Sequence, residues 1–332
     1  MDTTTAIPAF PDPTTPAERT VQGACALSDW GVIRATGPDA AAFLHGQLSN
    51  DVSRLGMEQA RLGGYCTPQG RMLASFVYAR ASAEEFWLAC SADVLPATLK
   101  RLSMFVMRAK ARLTDASGEL AVLGLAGPAA AAWLDSAAAP HAWDKRGRDG
   151  ALVIRLPDSG QGTTTVDRWL WIGPTAQAAT VLGALPALAP AVWQQLEVRS
   201  GVVPVVAQTT GQFVPQMLNY ELVGGVDFKK GCYPGQEIVA RSHYLGKLKR
   251  RAFLLAGDAA MAPAQEIFWS EDAGQPSGMV ARAAADGPQH LALAELKIAA
   301  TRSGTLHLGQ PDGPRLRLLP LPYALPHDAE PA

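Results

Sequence analysis

Gly31-Val32-Ile33-Arg34-Ala35-Thr36-Gly37-Pro38-Asp39-Ala40-Ala41-Ala42-Phe43-Leu44 reads as a strand, a tight turn and the start of a helix that continues to about Leu48. β-prone residues fill the first positions, Gly-Pro supplies the turn, and proline's fixed φ suits a first helical turn. The same order returns at Leu120 to Ala126, Gly127-Pro128 and Ala129 to Leu134. Later in each copy an aromatic strand, Phe86-Trp87-Leu88-Ala89-Cys90 and then Trp169-Leu170-Trp171-Ile172, leads into a helix, at roughly 93 to 107 and roughly 175 to 186. The repeat predicts two related α+β units, at about 23–115 and 116–200.

Around this duplicated core the composition sets limits. A chain of 332 residues exceeds what one hydrophobic core usually organises. With 48% apolar residues, 18% charged and a net charge of −1, it is neither globally disordered nor a wholesale binder of nucleic acid or anionic membrane. Cys25, Cys66, Cys90 and Cys232 are too scattered for a metal-ligand spacing and read as reduced thiols. Residues 1–22 form an arm without the basic and apolar regions of a signal peptide. No run approaches the ~18 apolar residues of a membrane span. The expectation is a soluble cytoplasmic protein with no membrane partner.

After about residue 247 the pattern changes. Phe253-Leu254-Leu255, Glu266 to Trp269, Gly278 to Ala281, Leu291 to Ile298 and Leu316 to Leu319 are short β-prone runs separated by Gly, Pro and Asp, the spacing of a small antiparallel barrel or sandwich. That β domain is placed at 247–325, with a frayed tail at 326–332. In the first copy, Pro68-Gln69-Gly70 between β-prone flanks predicts a hairpin. Lys100, Arg101, Arg108, Lys110 and Arg112 follow with no acid among them, either a solvated helix face or a site for polyanions.

The chemistry concentrates in Asp227-Phe228-Lys229-Lys230-Gly231-Cys232-Tyr233-Pro234-Gly235-Gln236-Glu237-Ile238-Val239-Ala240-Arg241. Pro234-Gly235 suits the central positions of a type II turn. A short helix then runs from Gln236 to about His243, stopped by Gly246, with Glu237 and Arg241 one turn apart. Cys232 would lie just before a helix N-terminus and beside Lys229 and Lys230, both of which favour the thiolate. The alternative is a buried structural thiol, against which the flanking Gly, Lys and Pro-Gly argue. From Asp227 to Arg251 seven basic residues face two acids, so the rest of the chain is acidic and a polyanionic partner is indicated, such as a polyglutamylated cofactor tail or an RNA backbone.

Lys230-Gly231-Cys232-Tyr233-Pro234-Gly235-Gln236-Glu237 resembles the signature of the YgfZ family of folate-binding, tRNA-modification and iron–sulfur-maintenance proteins, relatives of the glycine-cleavage T-protein (aminomethyltransferase). Gly211-Gln212-Phe213-Val214-Pro215-Gln216, Asn219 and Gly46-Gln47-Leu48-Ser49-Asn50-Asp51-Val52 also resemble the family. The resemblance implies an α+β fold: two duplicated units at 23–246, closed by the signature segment 201–246, plus a C-terminal antiparallel β-barrel, with tetrahydrofolate or another reduced folate on one face. It implies Trp30, Trp193, Gln216 and Asn219 as cofactor-binding residues, an indole being able to stack on a pterin. Cys232 with Lys230 would be the acting pair, within a motif of Lys230, Gly231, Cys232, Tyr233, Gly235, Gln236, Glu237 and Arg241. Where family members show Arg-Gly after the signature helix, this chain has Leu245-Gly246.

Three functions follow from this reading. The leading one is a folate-binding accessory protein that supports assembly or repair of iron–sulfur enzymes, including those that modify tRNA. Its partners are then folate, iron–sulfur enzymes or cluster-assembly proteins, and tRNA. The second is a folate-dependent aminomethyl transferase using a carboxylate such as Asp51. The third is a tRNA-binding module using Lys100 to Arg112 and Lys229 to Arg251.

Overall fold

The computed structural model describes residues 21–135, 140–160, 165–244 and 248–326. The expected arm up to residue 20, the helix stop at Gly246 with Leu245 and Lys247, and the tail from 327 lie outside the described residues. Strands β1 (Gly23–Ala26) and β2 (Trp30–Thr36) lead into helix α1 (Ala40–His45). Next come β3 (Ala60–Cys66), β4 (Met72–Ser82), β5 (Glu85–Ser91), α2 (Leu95–Val106) and β6 (Arg112–Asp115). The second round runs β7 (Leu120–Ala126), α3 (Gly127–Leu134), β8 (Lys145–Arg148), β9 (Ala151–Ser159), β10 (Val166–Pro174), α4 (Thr175–Gly183) and α5 (Pro190–Arg199). Two short 3-10 turns precede α6 (Gln236–Tyr244). The chain ends in β11 (Arg250–Gly257), β12 (Glu266–Trp269), β13 (Gly278–Asp286), β14 (Gln289–Lys297), β15 (Leu306–Leu308) and β16 (Arg315–Leu319).

The two rounds build two five-stranded antiparallel sheets of the same plan, β6-β2-β5-β4-β3 and β1-β7-β10-β9-β8. The duplication is therefore real in three dimensions, with one feature the sequence did not announce. The short strand before each copy's first long strand crosses to the other copy: β1 pairs with β7, and β6 pairs with β2. The turn glycines of the repeat serve this exchange. Gly37 (φ +115) passes the carbonyl of Lys110 just before β6, and Gly127 (φ +72) passes that of Val21 just before β1. A Cβ would stand 2.3 and 2.0 Å from those oxygens, so no other residue fits. The sheets also meet at their far edges, where Ala60 N donates to Trp143 O and Lys145 N to Glu58 O.

β11 to β16 close into a six-stranded barrel, β11-β14-β13-β12-β15-β16. Side-chain alternation shows how it joins the body. On β11, Ala252, Leu254 and Ala256 enter a central core shared with Val32 and Leu170, while Phe253 and Leu255 fill the barrel interior. The sheets are likewise buried on both faces: Leu170 and Ile172 face the shared core, Trp169 and Trp171 the helices of their own unit. Each buried leucine here is worth about 1.5–3 kcal/mol, so the barrel is part of the folding unit's interior. Among the described residues no helix is long and apolar enough to cross a membrane.

Candidate functional site

The three stretches singled out in the sequence converge on the β3–β4 hairpin. Ser49 Oγ donates to Gly225 O at 2.7 Å and accepts from Gly64 N at 2.7 Å. Asn50 Nδ2 donates to Leu62 O at 2.9 Å and Gly224 O at 2.7 Å, and Asp227 N donates to Ser49 O. The segment 46–52 thus clamps the chain entering the cysteine motif. The segment 211–216 lies along the start of β4, Gly211 N donating to Met72 O and Met72 N to Phe213 O.

On this support sits the motif. Gln236 N donates to Tyr233 O at 3.1 Å, closing a turn with Pro234 and Gly235 at its centre, and Gly235 holds φ +82, as the Pro-Gly pair predicts. Gly235 packs backbone to backbone on the hairpin tip, where a Cβ would lie 2.5 Å from Thr67 O and 2.6 Å from Gly70 Cα. Cys232 is exposed at the outer side of this turn, four residues before α6, whereas Cys25, Cys66 and Cys90 are buried. Burial pushes those three thiols up to about 12. A Cβ on neighbouring Gly231 would stand 3.2 Å from His45 Nε2, so the imidazole lies against the motif.

Lys230 is hydrogen-bonded to backbone carbonyls. Its ammonium is buried, donates to the carbonyls of His45 and Leu48 beyond the end of α1, and lies 4.7 Å from the Tyr233 ring centre. Burial draws it down to about 8, while Asp51, Asp227 and Cys232 act in the opposite direction. Asp51 is buried too, which by itself would raise its pKa. Hydrogen bonds from Arg54 N (2.9 Å), Arg54 Nε (2.6 Å) and Ser53 Oγ (2.8 Å) outweigh that and hold it well below the usual carboxylate range. Asp51 braces a turn. Glu237 and Arg241 are both exposed on α6.

The second locus is a cleft between the sheets, walled by Trp30, Trp143, Arg168, Glu197, Tyr220 and the segment 202–204. Trp30 opens β2 and is half-buried. Glu197 is the one carboxylate on this wall among the described residues, and Arg282 of β13 fixes it, donating to Glu197 Oε2 at 2.8 Å and to Asp29 Oδ2, beside Trp30, at 3.2 Å. One barrel residue thus ties together the two segments that carry Trp30 and Glu197. Arg168 is buried, drawn down to about 10 by desolvation, and donates to Pro157 O while stacking on Trp193 at 5.4 Å.

The other residues expected at a ligand sit elsewhere. Trp193 is 2% exposed and packs flat on Gly124, behind the cleft wall, with its indole N–H buried and unpartnered. Gln216 is fully buried and donates to Val239 O, anchoring α6. Asn219 is fully buried, donates to Ala252 O and Tyr323 Oη and accepts from Arg251, which joins the 3-10 turn to the barrel. Cys232 is not among the cleft residues. Sequence reading missed Glu197, Arg168 and Arg282. The signals were there: Glu197 falls one helical turn after Trp193, and Arg168 falls two residues before Leu170, on the same face of its strand.

The basic run 227–251 also divides. Lys230 is engaged internally, Arg250 pairs with Glu295, and Arg251 pairs with Glu221 at 2.7 Å. Lys229, Arg241 and Lys249 remain exposed, and Lys247 lies outside the described residues.

Residues 15–147 match the family model of the GCVT N-terminal domain. The whole fold is similar to the glycine cleavage system aminomethyltransferase T from Bartonella henselae, with a TM-score of 0.71 and 19% identity over 91% of this chain and 86% of that one. A heterotetrameric sarcosine oxidase from Corynebacterium sp. U-96, solved in complex with pyrrole 2-carboxylate, matches with a TM-score of 0.35 and 16% identity over 48% of this chain and 80% of that one. The fold is that of the T-protein: two α+β units and a closed barrel.

Proposed function

We propose that this T-protein-like chain is a folate-binding accessory protein that supports iron–sulfur enzymes, including those that modify tRNA. The observation that carries the folate part is the cleft in which the half-buried Trp30 stands beside a single carboxylate, Glu197, fixed by Arg282. The chemistry of that set suits a flat, hydrogen-bonding heteroaromatic; the cleft encloses about 40 Å³ as it stands, so its walls must part to admit one. The indole offers a stacking face, and a carboxylate accepts from the two adjacent N–H groups of a 2-amino-4-oxopyrimidine edge. When bound, a reduced folate supplies one-carbon chemistry at its ring nitrogens. Trp30 and Glu197 would hold and orient it, and Arg168 would keep the inner wall polar.

The accessory reading is favoured over aminomethyl transfer by the same cleft. Its carboxylate already carries an ion pair, and Asp51 is engaged by Arg54 away from the cleft wall. The support for a thiol function is separate: Cys232 is exposed and rigidly presented by a turn docked on the first sheet. Two measurements test the reading. Calorimetric titration with tetrahydrofolate should give saturable binding that Trp30→Ala weakens at least about tenfold. In cells lacking the endogenous protein, Cys232→Ala should fail to restore an iron–sulfur tRNA-thiolating enzyme. Full complementation would remove the thiol role, and methylenetetrahydrofolate formation from an aminomethyl donor by pure protein would make the chain a transferase.

A further inference from the structure

Strand β6 ends the first sheet, with β2 on one side. Its counterpart β1 holds the same place beside β7, and there the chain closes the outer edge itself: Ala24 N donates to Pro186 O and Leu188 N to Ala24 O, both at 2.9 Å. Among the described residues β6 has no such cover. Just before it, the end of α2 leaves Met104, Phe105 and Met107 in water, 61%, 48% and 85% exposed. Met107 holds φ 41, a conformation that a bulky side chain rarely adopts. Arg108, Lys110 and Arg112 are exposed along the same stretch. The nearby acids are partly engaged: exposed Asp115 accepts from Ser117 N at 2.9 Å and Asp39 from Lys110 N at 2.7 Å.

We propose that the open edge of β6, with the apolar and basic residues leading into it, docks an extended acidic segment of a partner protein. The segment adds as a strand, its apolar side chains meet Met104, Phe105 and Met107, and its carboxylates meet Arg108, Lys110 and Arg112. An unpaired row of backbone N–H and C=O groups is what a polypeptide completes and an RNA or a lipid surface does not. Methionine side chains adapt to varied apolar partners. The cations repel a second copy of the same edge and attract an acidic strand. None of this rests on the folate reading.

The test uses the full chain and a fluorescein-labelled peptide of alternating glutamate and valine, followed by polarisation. Binding should saturate, weaken with salt, and slow amide exchange at 112–115. A lysine–valine peptide should not bind. Phe105→Asp, Met107→Asp and Arg112→Glu should each lower affinity at least about tenfold while leaving the melting temperature and tetrahydrofolate affinity unchanged. The proposal is overturned if the native chain does not bind the peptide or if the variants bind it as tightly. It is equally overturned if they instead lose affinity for tRNA or phosphatidylserine vesicles.

Discussion

Replacing Lys230 with methionine keeps the apolar length of the side chain and removes the ammonium that donates to His45 O and Leu48 O. Two buried carbonyls then lose a charged donor, about 1.5–3 kcal/mol each. Against this stands the cost of burying the charge: a fall from 10.5 to about 8 corresponds to about 3 kcal/mol. The net loss near pH 7 is therefore about 0–3 kcal/mol. Its pH dependence carries the sharper test. Below pH 8 the lysine is charged in both folded and unfolded chains. Above pH 8 the folded amine releases its proton while the unfolded one keeps it until 10.5, so the unfolded chain binds more protons and stability rises with pH. The neutral amine still has two hydrogens for its two carbonyls. The contribution of Lys230 should therefore grow by about 1.3 kcal/mol between pH 7 and 9.

The assay is urea unfolding followed by circular dichroism at pH 7, 8 and 9, under reducing conditions, for the native chain and Lys230→Met. Buried Cys25, Cys66 and Cys90 pull the other way above pH 9, because unfolding frees their thiols to ionise. They are common to both proteins and cancel in the difference. A difference that stays flat or shrinks with pH would refute the anchoring role. Alkylation of Cys232 in the Lys230→Met variant gives an independent reading: a purely anchoring lysine leaves its rate nearly unchanged, whereas a slowing of about tenfold, equivalent to one unit of thiol pKa, would make Lys230 an activator as well.

With a bulky disulfide reagent the native protein should react at one thiol, Cys232, and the unfolded chain at four. More than one fast thiol would mean that the sheets open readily. Gly235→Ala should destabilise by at least about 2 kcal/mol in chemical denaturation, since it combines a left-handed φ with a clash against Thr67 O. Gly274→Ala, with nothing within 4 Å, should be near neutral. Glu197→Gln and Arg282→Met should each weaken tetrahydrofolate binding about tenfold or more, measured by calorimetry, and their double variant should cost less than the sum because the two act as one pair. Strict additivity would separate Arg282 from the cleft.

What could be read from the sequence was local chemistry. Gly-Pro at 37–38 and 127–128 marked the repeat, and Pro234-Gly235 marked the turn that exposes Cys232. Both are statements about backbone angles that two residues settle. The exchange of β1 and β6 was not legible, because four-residue strands carry no period and their sheet is decided by distant partners. Trp169 and Trp171 looked like one aromatic run because both faces of β10 are buried, which erases the alternation that tells inside from outside. The cleft was hidden for a further reason: Glu197 and Arg282 lie 85 residues apart and meet only when barrel and body close. Gln216 and Asn219, singled out for a ligand, instead hold α6 and the barrel in place.

The basic run 227–251 shows why a charge count needs geometry before it becomes a surface. Arg250 and Arg251 are neighbours in sequence, yet on a strand successive side chains leave opposite faces, so one meets Glu295 of the adjacent strand β14 and the other Glu221 of the body. Lys230, adjacent to exposed Lys229, turns inward to the end of α1. Three of the seven positive charges are thereby neutralised or hydrogen-bonded inside the fold. Arg108, Lys110 and Arg112 are exposed, with the acids nearest to them hydrogen-bonded to backbone amides. Among the described residues the run 227–251 keeps Lys229, Arg241 and Lys249 exposed but spread over its length, whereas Arg108, Lys110 and Arg112 crowd the end of α2 and the edge of β6, which makes that edge the denser site for an acidic ligand.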